Sequence, residues 1–290
     1  MSTAMETLLR TLDLEAIDDG GLAFRGQSPQ TARQRVFGGQ VIGQALVAAQ
    51  RTVASDRFVH SLHCYFMRPG DPRVAIEYRV DPMRDGGSFS TRQVVAHQHD
   101  KAIFSLSASF QRDEPGLSHA FKMPDDIPQP ETLLSENQII ASMGDRVPDS
   151  IRRYWLRERP IELRPISLAH YVSDEKLPPE QNIWIRAVGD VPADRGLQAA
   201  ILAYLSDMTL LDTSLFVHGR SIFNPDLQVA SLDHSMWFHR PDPLNDWLLY
   251  TQDSPSTSSA RGFTRGSIFN RSGEMIASVA QEGLIRVQND

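Results

Sequence analysis

A single cysteine, Cys64, stands among 290 residues, so no intrachain disulfide can form and the fold does not need an oxidising compartment. Long apolar runs are missing too: nothing approaches the ~18 uninterrupted apolar residues that a membrane-spanning helix requires. There is no basic excess, since the net charge is −7, and this removes the general electrostatic case for a nucleic-acid partner. A local basic patch for a phosphorylated small molecule stays open. The N-terminal MSTAMETLLR has no basic leader before an apolar core, and the final RVQND is not a Ser-Lys-Leu address, so the cytoplasm is the expected location. Gly-x-Gly-x-x-Gly, P-loop and Gly-x-Ser-x-Gly patterns are absent, which removes a nucleotide fold and the serine-hydrolase elbow.

What is present is ordinary in amount, with 41% hydrophobic and 22% charged residues, but repetitive in order. SLHCYFMRPGDP from Ser61 returns as SLDHSMWFHRPDP from Ser231, about 170 residues later. Around it, GGQVIGQALVAAQRTV (38–53) reads as a helix and is followed by four strand-like runs ending in KAIFSLSASFQR. RGLQAAILAYLSDMTLLD (195–212) reads as a second helix, with Asp194 as its cap, again followed by strand runs that end in EMIASVAQEGLIRV. Each half is one long helix plus a meander of strands, an α+β arrangement with a curved antiparallel sheet around a helix. Two such sheets in one chain can pair side by side, which covers edge strands that would otherwise be exposed. The expected division is 1–112, a connector at 113–163 that is proline-rich, acidic and helical around 131–143, and 164–290.

The two copies differ in their polar positions. Strand alternation puts Ala102, Phe104, Leu106, Ala108 and Phe110 on one face, and the matching face of the second copy carries Ala277, Val279, Gln281, Gly283 and Ile285. Gln281 thus replaces Ala108 where the face should point inward, and a buried amide without partners costs roughly 1–3 kcal/mol. Asp207 shares a helix face with Tyr204, Ala203 and Leu211, where the first copy has Ala48 or Ala49. It is either a buried functional carboxylate or a residue at the solvent edge of a narrow stripe. Ser231 opens the strand of the repeated phrase, on the face of Asp233, Ser235, Trp237 and His239 by alternation. It is either a structural strand-start serine or a third polar group that, with Asp207 and Gln281, holds and polarises a water molecule.

RQRVFGGQVIGQAL at Arg33, HSLHCYFMRPGDP at His60, RDGGSFSTR at Arg84, LAYLSDMTLL at Leu202, DHSMWFHRPDPLNDWLLY at Asp233 and SVAQEGLIR at Ser278 carry a resemblance over nearly the whole chain. In them the sequence resembles the acyl-CoA thioesterase II family, the TesB-like double-hotdog enzymes. The resemblance implies two hotdog units in one chain, hydrolysis of acyl-CoA to free fatty acid and CoA without a cofactor or metal, and a homodimer or homotetramer. It also implies a catalytic set that falls on Asp207, Ser231 and Gln281; relatives often carry threonine at the serine position. Asp207 would then act as general base or as nucleophile. The other readings are a hotdog enoyl-CoA hydratase or dehydratase, and a non-catalytic acyl-CoA-binding module.

Other residues carry weaker signals. His60 precedes the first phrase and is a candidate site neighbour or a structural histidine. His97 and His99 are spaced to share a strand face, with no acidic or cysteine partner near in sequence. Gly38 and Gly39 either admit a ligand group or serve close helix–sheet packing. Cys64 reads as a core thiol. Arginine greatly outnumbers lysine, with clusters at Arg152, Arg153, Arg157 and Arg159 and at Arg261 and Arg265; guanidinium groups suit CoA phosphates, and genomic composition explains the same bias.

Overall fold

In the computed structural model the described residues are 3–29, 35–143, 151–153 and 156–288. Arg33 and Gln34 of the first motif, and 149–150 and 154–155 of the arginine-rich stretch, lie outside them. In chain order the strands are β1 (Glu15–Ala16), β2 (Ala23–Gly26), β3 (Phe58–Phe66), β4 (Ile76–Asp85), β5 (Phe89–Gln98), β6 (Lys101–Gln111), β7 (Ile161–Pro165), β8 (Glu180–Ala187), β9 (Leu227–Ser231), β10 (Asp233–Phe238), β11 (Leu248–Ser258), β12 (Arg261–Asn270) and β13 (Met275–Val287). The helices are α1 (Ala4–Leu12), α2 (Gly38–Gln50), α3 (Glu136–Met143), α4 (Ala169–Val172), α5 (Arg195–Ser206) and α6 (Thr213–Phe216).

All strands join one antiparallel sheet in the order β1-β2-β4-β5-β6-β3-β10-β13-β12-β11-β8-β7, with β9 also on β13. The halves meet where β3 pairs with β10, Leu62 opposite Met236. The repeated phrase has the same task in each copy. Met67 and Arg68 both donate backbone N–H groups to the carbonyl of Ile103, and His239 and Arg240 do the same to that of Ile276. The Arg68 guanidinium reaches the carbonyl of Ala102, and that of Arg240 reaches Met275. Proline follows each arginine and cannot donate to a further ladder bond, so the strand ends there.

The sheet curves around α2 and α5, which touch along glycines. A Cβ on Gly39 would run into the carbonyl oxygen of Tyr204, and one on Gly43 would lie 3.2 Å from that of Ala200. The expectation of helix–sheet packing is corrected for Gly39, which serves helix–helix contact, while Gly38 lies close to the Phe66 ring of β3. Asp194 caps α5 as read, its Oδ1 accepting the Leu197 N–H at 2.6 Å.

One further reading is corrected. The second helix does not run to Asp212: α5 stops at Ser206, Asp207 is its C-cap, and a 3₁₀ turn at Leu210–Asp212 leads into α6. The connector also packs against the second sheet. Met123, Ile127 and Leu133 cover Trp184, Trp247, Leu249 and Phe269 on the outer face of the C-terminal sheet, and Trp184 Nε1 donates to the carbonyl of Pro128 at 2.8 Å. Strands β7 and β8, which carry the edge of that sheet, had no sequence signal strong enough to single them out.

Candidate active site

Asp207, Ser231 and Gln281 come from three elements and meet at one point. Gln281 Nε2 donates to Asp207 Oδ1 at 2.6 Å and to Ser231 Oγ at 2.9 Å, and Ser231 Oγ donates to Asp207 Oδ1 at 3.2 Å. Gln281 is 1% exposed, and its Oε1 has no hydrogen-bond partner among the described residues. An orphaned buried acceptor beside a carboxylate is a place where a water or substrate proton can be received.

Ser231 reaches this point through a bulge. It pairs with Gly283 while Ser235 pairs with Ala280, so four steps on one strand match three on the other. The extra residue reverses the alternation, a β-bulge effect. Ser231 therefore faces inward while Trp237 faces out against His63, ring centroids 5.2 Å apart. The expectation that Ser231 shares a face with Trp237 is overturned for this reason. Asp233 secures the bulge by accepting the Glu282 N–H at 2.7 Å, and burial raises its pKa.

Asp207 is placed by the end of α5 and lies against the start of α2. A Cβ on Gly38 would sit 2.7 Å from Asp207 Oδ2 and 3.0 Å from the Phe66 ring. Phe37, the N-cap of α2, makes no side-chain cap bond, and the first turn has no acid of its own. The Asp207 carboxylate thus faces the positive end of that helix, whose first N–H groups have no intrahelical acceptor. The chain pins the end of α5 from behind with buried polar groups that sequence reasoning missed. Tyr250 Oη donates to the Ser206 carbonyl at 3.0 Å, and Gln252 Nε2 donates to Thr209 Oγ1 at 2.7 Å. Ser206 Oγ donates to the Ala203 carbonyl, so His234 Nε2, 2.9 Å away, is the donor to Ser206. Burial pushes the His234 pKa down to about 3, which keeps the ring neutral. A polar residue at an otherwise inward strand position was the only available signal for these anchors.

The first copy lacks this set. The residue beside Gly196, near the start of α5, is Gln50: a Cβ on Gly196 would lie 3.0 Å from Gln50 Nε2. Gln50, rather than Ala48 or Ala49, is thus the counterpart of Asp207, a correction to the sequence alignment. Gln50, Val59 and His60 line a separate cavity of about 230 Å³ there. His60 bonds Ser109 Oγ at 2.8 Å, in that region and not at Asp207. His99 lies in a left-handed turn with Asp100, outside any strand, so it does not share a strand face with His97. Among the described residues no group of three His, Cys, Asp or Glu is placed to hold a metal. Cys64 is buried, donates to the His234 carbonyl at 3.2 Å, and has its thiol pKa pushed up by burial.

Residues 152–284 match the family described as acyl-CoA thioesterase, and residues 27–111 that described as acyl-CoA thioesterase N-terminal domain. The chain is 40% identical to acyl-CoA thioesterase 2 of Haemophilus influenzae over 286 residues, 99% of each chain. It is 39% identical to human acyl-coenzyme A thioesterase 8, covering 96% of this chain and 88% of that one. Among solved structures it is similar to the acyl-CoA thioesterase II TesB2 of Mycobacterium marinum, with a TM-score of 0.79, 38% identity, and coverage of 97% of this chain and 99% of that one. A hot-dog-fold protein from Alicyclobacillus acidocaldarius shares the fold at 17% identity, with a TM-score of 0.78. With both halves matched and relatives aligned from end to end, the chain belongs to the TesB-like acyl-CoA thioesterase II family and has its double-hotdog fold.

Proposed function

We propose that Asp207, with Ser231 and Gln281, activates the water by which this acyl-CoA thioesterase releases free fatty acid and CoA. The observation that carries the assignment is the closed triangle of hydrogen bonds on Asp207 Oδ1, which fixes the carboxylate and leaves Oδ2 toward the start of α2. Asp207 takes a proton from water as the hydroxide oxygen adds to the thioester carbonyl. Backbone N–H groups of the first turn of α2 receive the developing oxyanion. The tetrahedral carbon then breaks its bond to sulfur, and the proton held by Asp207 goes to the departing thiolate, giving CoA thiol and carboxylic acid. Ser231 and Gln281 hold the water and orient Asp207. The alternative in which Asp207 adds directly to the carbonyl needs a free oxygen with open access; the close approach of Gly38 to Oδ2 favours the base.

The test is release of thiol from acyl-CoAs of graded chain length by wild type and by Asp207→Asn. A loss of about 10³-fold or more in kcat, with the fold retained, is expected for removal of the base. Turnover unaffected by the substitution would remove Asp207 from the mechanism. Absence of thiol release with every acyl-CoA, together with hydration of enoyl-CoA, would favour the hydratase reading.

The same proposal includes a division at 1–112, 113–163 and 164–290, a cytoplasmic location, and a homodimer or homotetramer. The exposed Tyr65 and Trp237 at the junction of β3 and β10 on the outer face of the sheet support self-association. Sedimentation of the intact chain measures the assembly.

A further inference from the structure

The cavity of about 230 Å³ in the first copy stands where the duplication places a second site. Val59 precedes Arg68 by as many residues as Ser231 precedes Arg240, and Ala108 follows Ile103 as Gln281 follows Ile276. Val59 pairs with Phe110 as Ser231 pairs with Gly283, and β3 slips in register between Val59 and Ser61, so both copies bulge at this point. Gln50 meets Gly196 at the start of α5 as Asp207 meets Gly38 at the start of α2. Phe238 lines the cavity from the position that Phe66 holds beside Gly38. The frame of the candidate set is kept, while its three polar groups become Gln50, Val59 and Ala108.

An amide takes no proton from water, so this frame has no counterpart of the Asp207 base. It keeps the means to hold a carbonyl: Gln50 lines the cavity, has no hydrogen bond among the described residues, and has its Nε2 to donate. Charged groups on the walls are already engaged. Arg195 pairs with Asp113 at 2.6 Å and Arg112 with Asp56 at 2.7 Å. Arg240 donates to Ser118 Oγ and the Met275 carbonyl, Glu114 accepts from Ser88 Oγ, and Asp242 accepts from Asn270 Nδ2. His60 and His239 each bond a serine through Nε2, and burial lowers the pKa of both rings. Such walls suit a neutral ligand better than an anion, and Val59, Leu202, Phe238 and Ile276 give it apolar contact. At the ~30 Å³ that one water takes in the liquid, the cavity has room for about eight small groups, a thioester with roughly six acyl carbons.

We propose that the first-copy cavity binds a second, short-chain acyl thioester without hydrolysing it, the Gln50 amide donating to the thioester carbonyl. The inference rests on the thioesterase reading for the class of ligand. Because α2 and α5 run antiparallel, this silent site lies at the opposite end of the helix pair from Asp207, and it fills as short-chain thioesters accumulate. Chain length separates the two sites: the limited volume admits a short acyl group here and excludes a long one.

The test is calorimetric titration of hexanoyl-CoA and of dodecanoyl-CoA into the full chain carrying Asp207→Asn, whose slow turnover keeps the thioester intact. Two molecules of hexanoyl-CoA and one of dodecanoyl-CoA bind per chain. Adding Gln50→Leu weakens the second hexanoyl-CoA by about tenfold or more. Adding instead Ala199→Phe, which fills the cavity from α5, removes it; the two substitutions act on different elements, so a folding failure in one leaves the other to decide. A single hexanoyl-CoA per chain, a second one indifferent to both substitutions, or a second dodecanoyl-CoA overturns the inference. Turnover is judged apart from this. A wild-type chain that releases no thiol, yet binds a second hexanoyl-CoA through Gln50, keeps this site and loses the proposed reaction; thiol release with one binding event keeps the reaction and loses the site.

Discussion

Gln281 Nε2 and Asp207 Oδ1 are 2.6 Å apart although 74 residues separate them in the chain. The bond is charge-assisted, short, and shielded from water by the burial of Gln281. Its donor also serves Ser231, so one amide orients both other members of the set.

Gln281→Glu should therefore be more informative than Gln281→Ala. The alanine variant removes two donors and should lower kcat by roughly 10²-fold with a smaller change in KM. The glutamate variant puts a second carboxyl against Asp207, and two carboxylates that close cannot both ionise easily. The acidic limb of its kcat–pH profile should move to higher pH. A profile that falls in height without moving would mean that Gln281 does not contact the titrating group.

At Ser231 the hydroxyl, not the size, is expected to matter. Ser231→Thr keeps a donor in a strand-compatible residue and should stay within a few-fold of wild type. Ser231→Ala should lose about tenfold or more in kcat. Equal activities for the two variants would reduce Ser231 to a structural residue of the bulge.

Gly38 and Gly39 should separate stability from activity. Gly39→Ala drives a methyl into the Tyr204 carbonyl and should cost roughly 2–3 kcal/mol in denaturant unfolding as the helices are pushed apart. Gly38→Ala aims its methyl at Asp207 Oδ2 and should lower kcat more than it lowers the melting temperature. The reverse order of effects would contradict the assignment of the two glycines.

Asp212 gives a pH dependence with a definite sign. Its carboxyl is buried, and desolvation pushes the pKa from 3.8 up to about 7. The native protein then keeps a proton that the unfolded chain has released between those values, so stability is lost as pH rises through the window. Asp212→Asn should be more stable to denaturant unfolding than wild type at pH 8, by an amount on the order of 2–4 kcal/mol, and the advantage should shrink toward pH 5. A constant difference across that range would mean that the carboxyl is not carrying the penalty.

The duplication was legible because it rests on local rules: a capped helix, runs of alternating residues, and Arg-Pro ending a strand in each copy. Asp207 and Gln281 stood out as polar residues at apolar positions of those patterns. Ser231 did not follow its pattern, because strand alternation carries no information about a bulge. The bulge is decided by how β13 pairs with both β9 and β10, with Asp233 accepting the Glu282 N–H. The anchors Tyr250, Gln252 and His234 were hidden for a similar reason. Each binds a group near the end of α5 from a strand far away in sequence, and spacing along the chain cannot reveal such a partner.

The sequence by itself determined the α+β class, the two-copy plan, the second copy as the altered one, and Asp207 and Gln281 as the polar residues that distinguish it, since these follow from residue type and period. Only the tertiary structure decided that α5 stops at Ser206, that Asp207 lies against the start of α2, and that the connector covers the outer face of the second sheet. The physical reason is range. Periodicity and caps act over a few residues, whereas the close approach of α2 and α5 and the bulge exist only once segments distant in sequence have packed together.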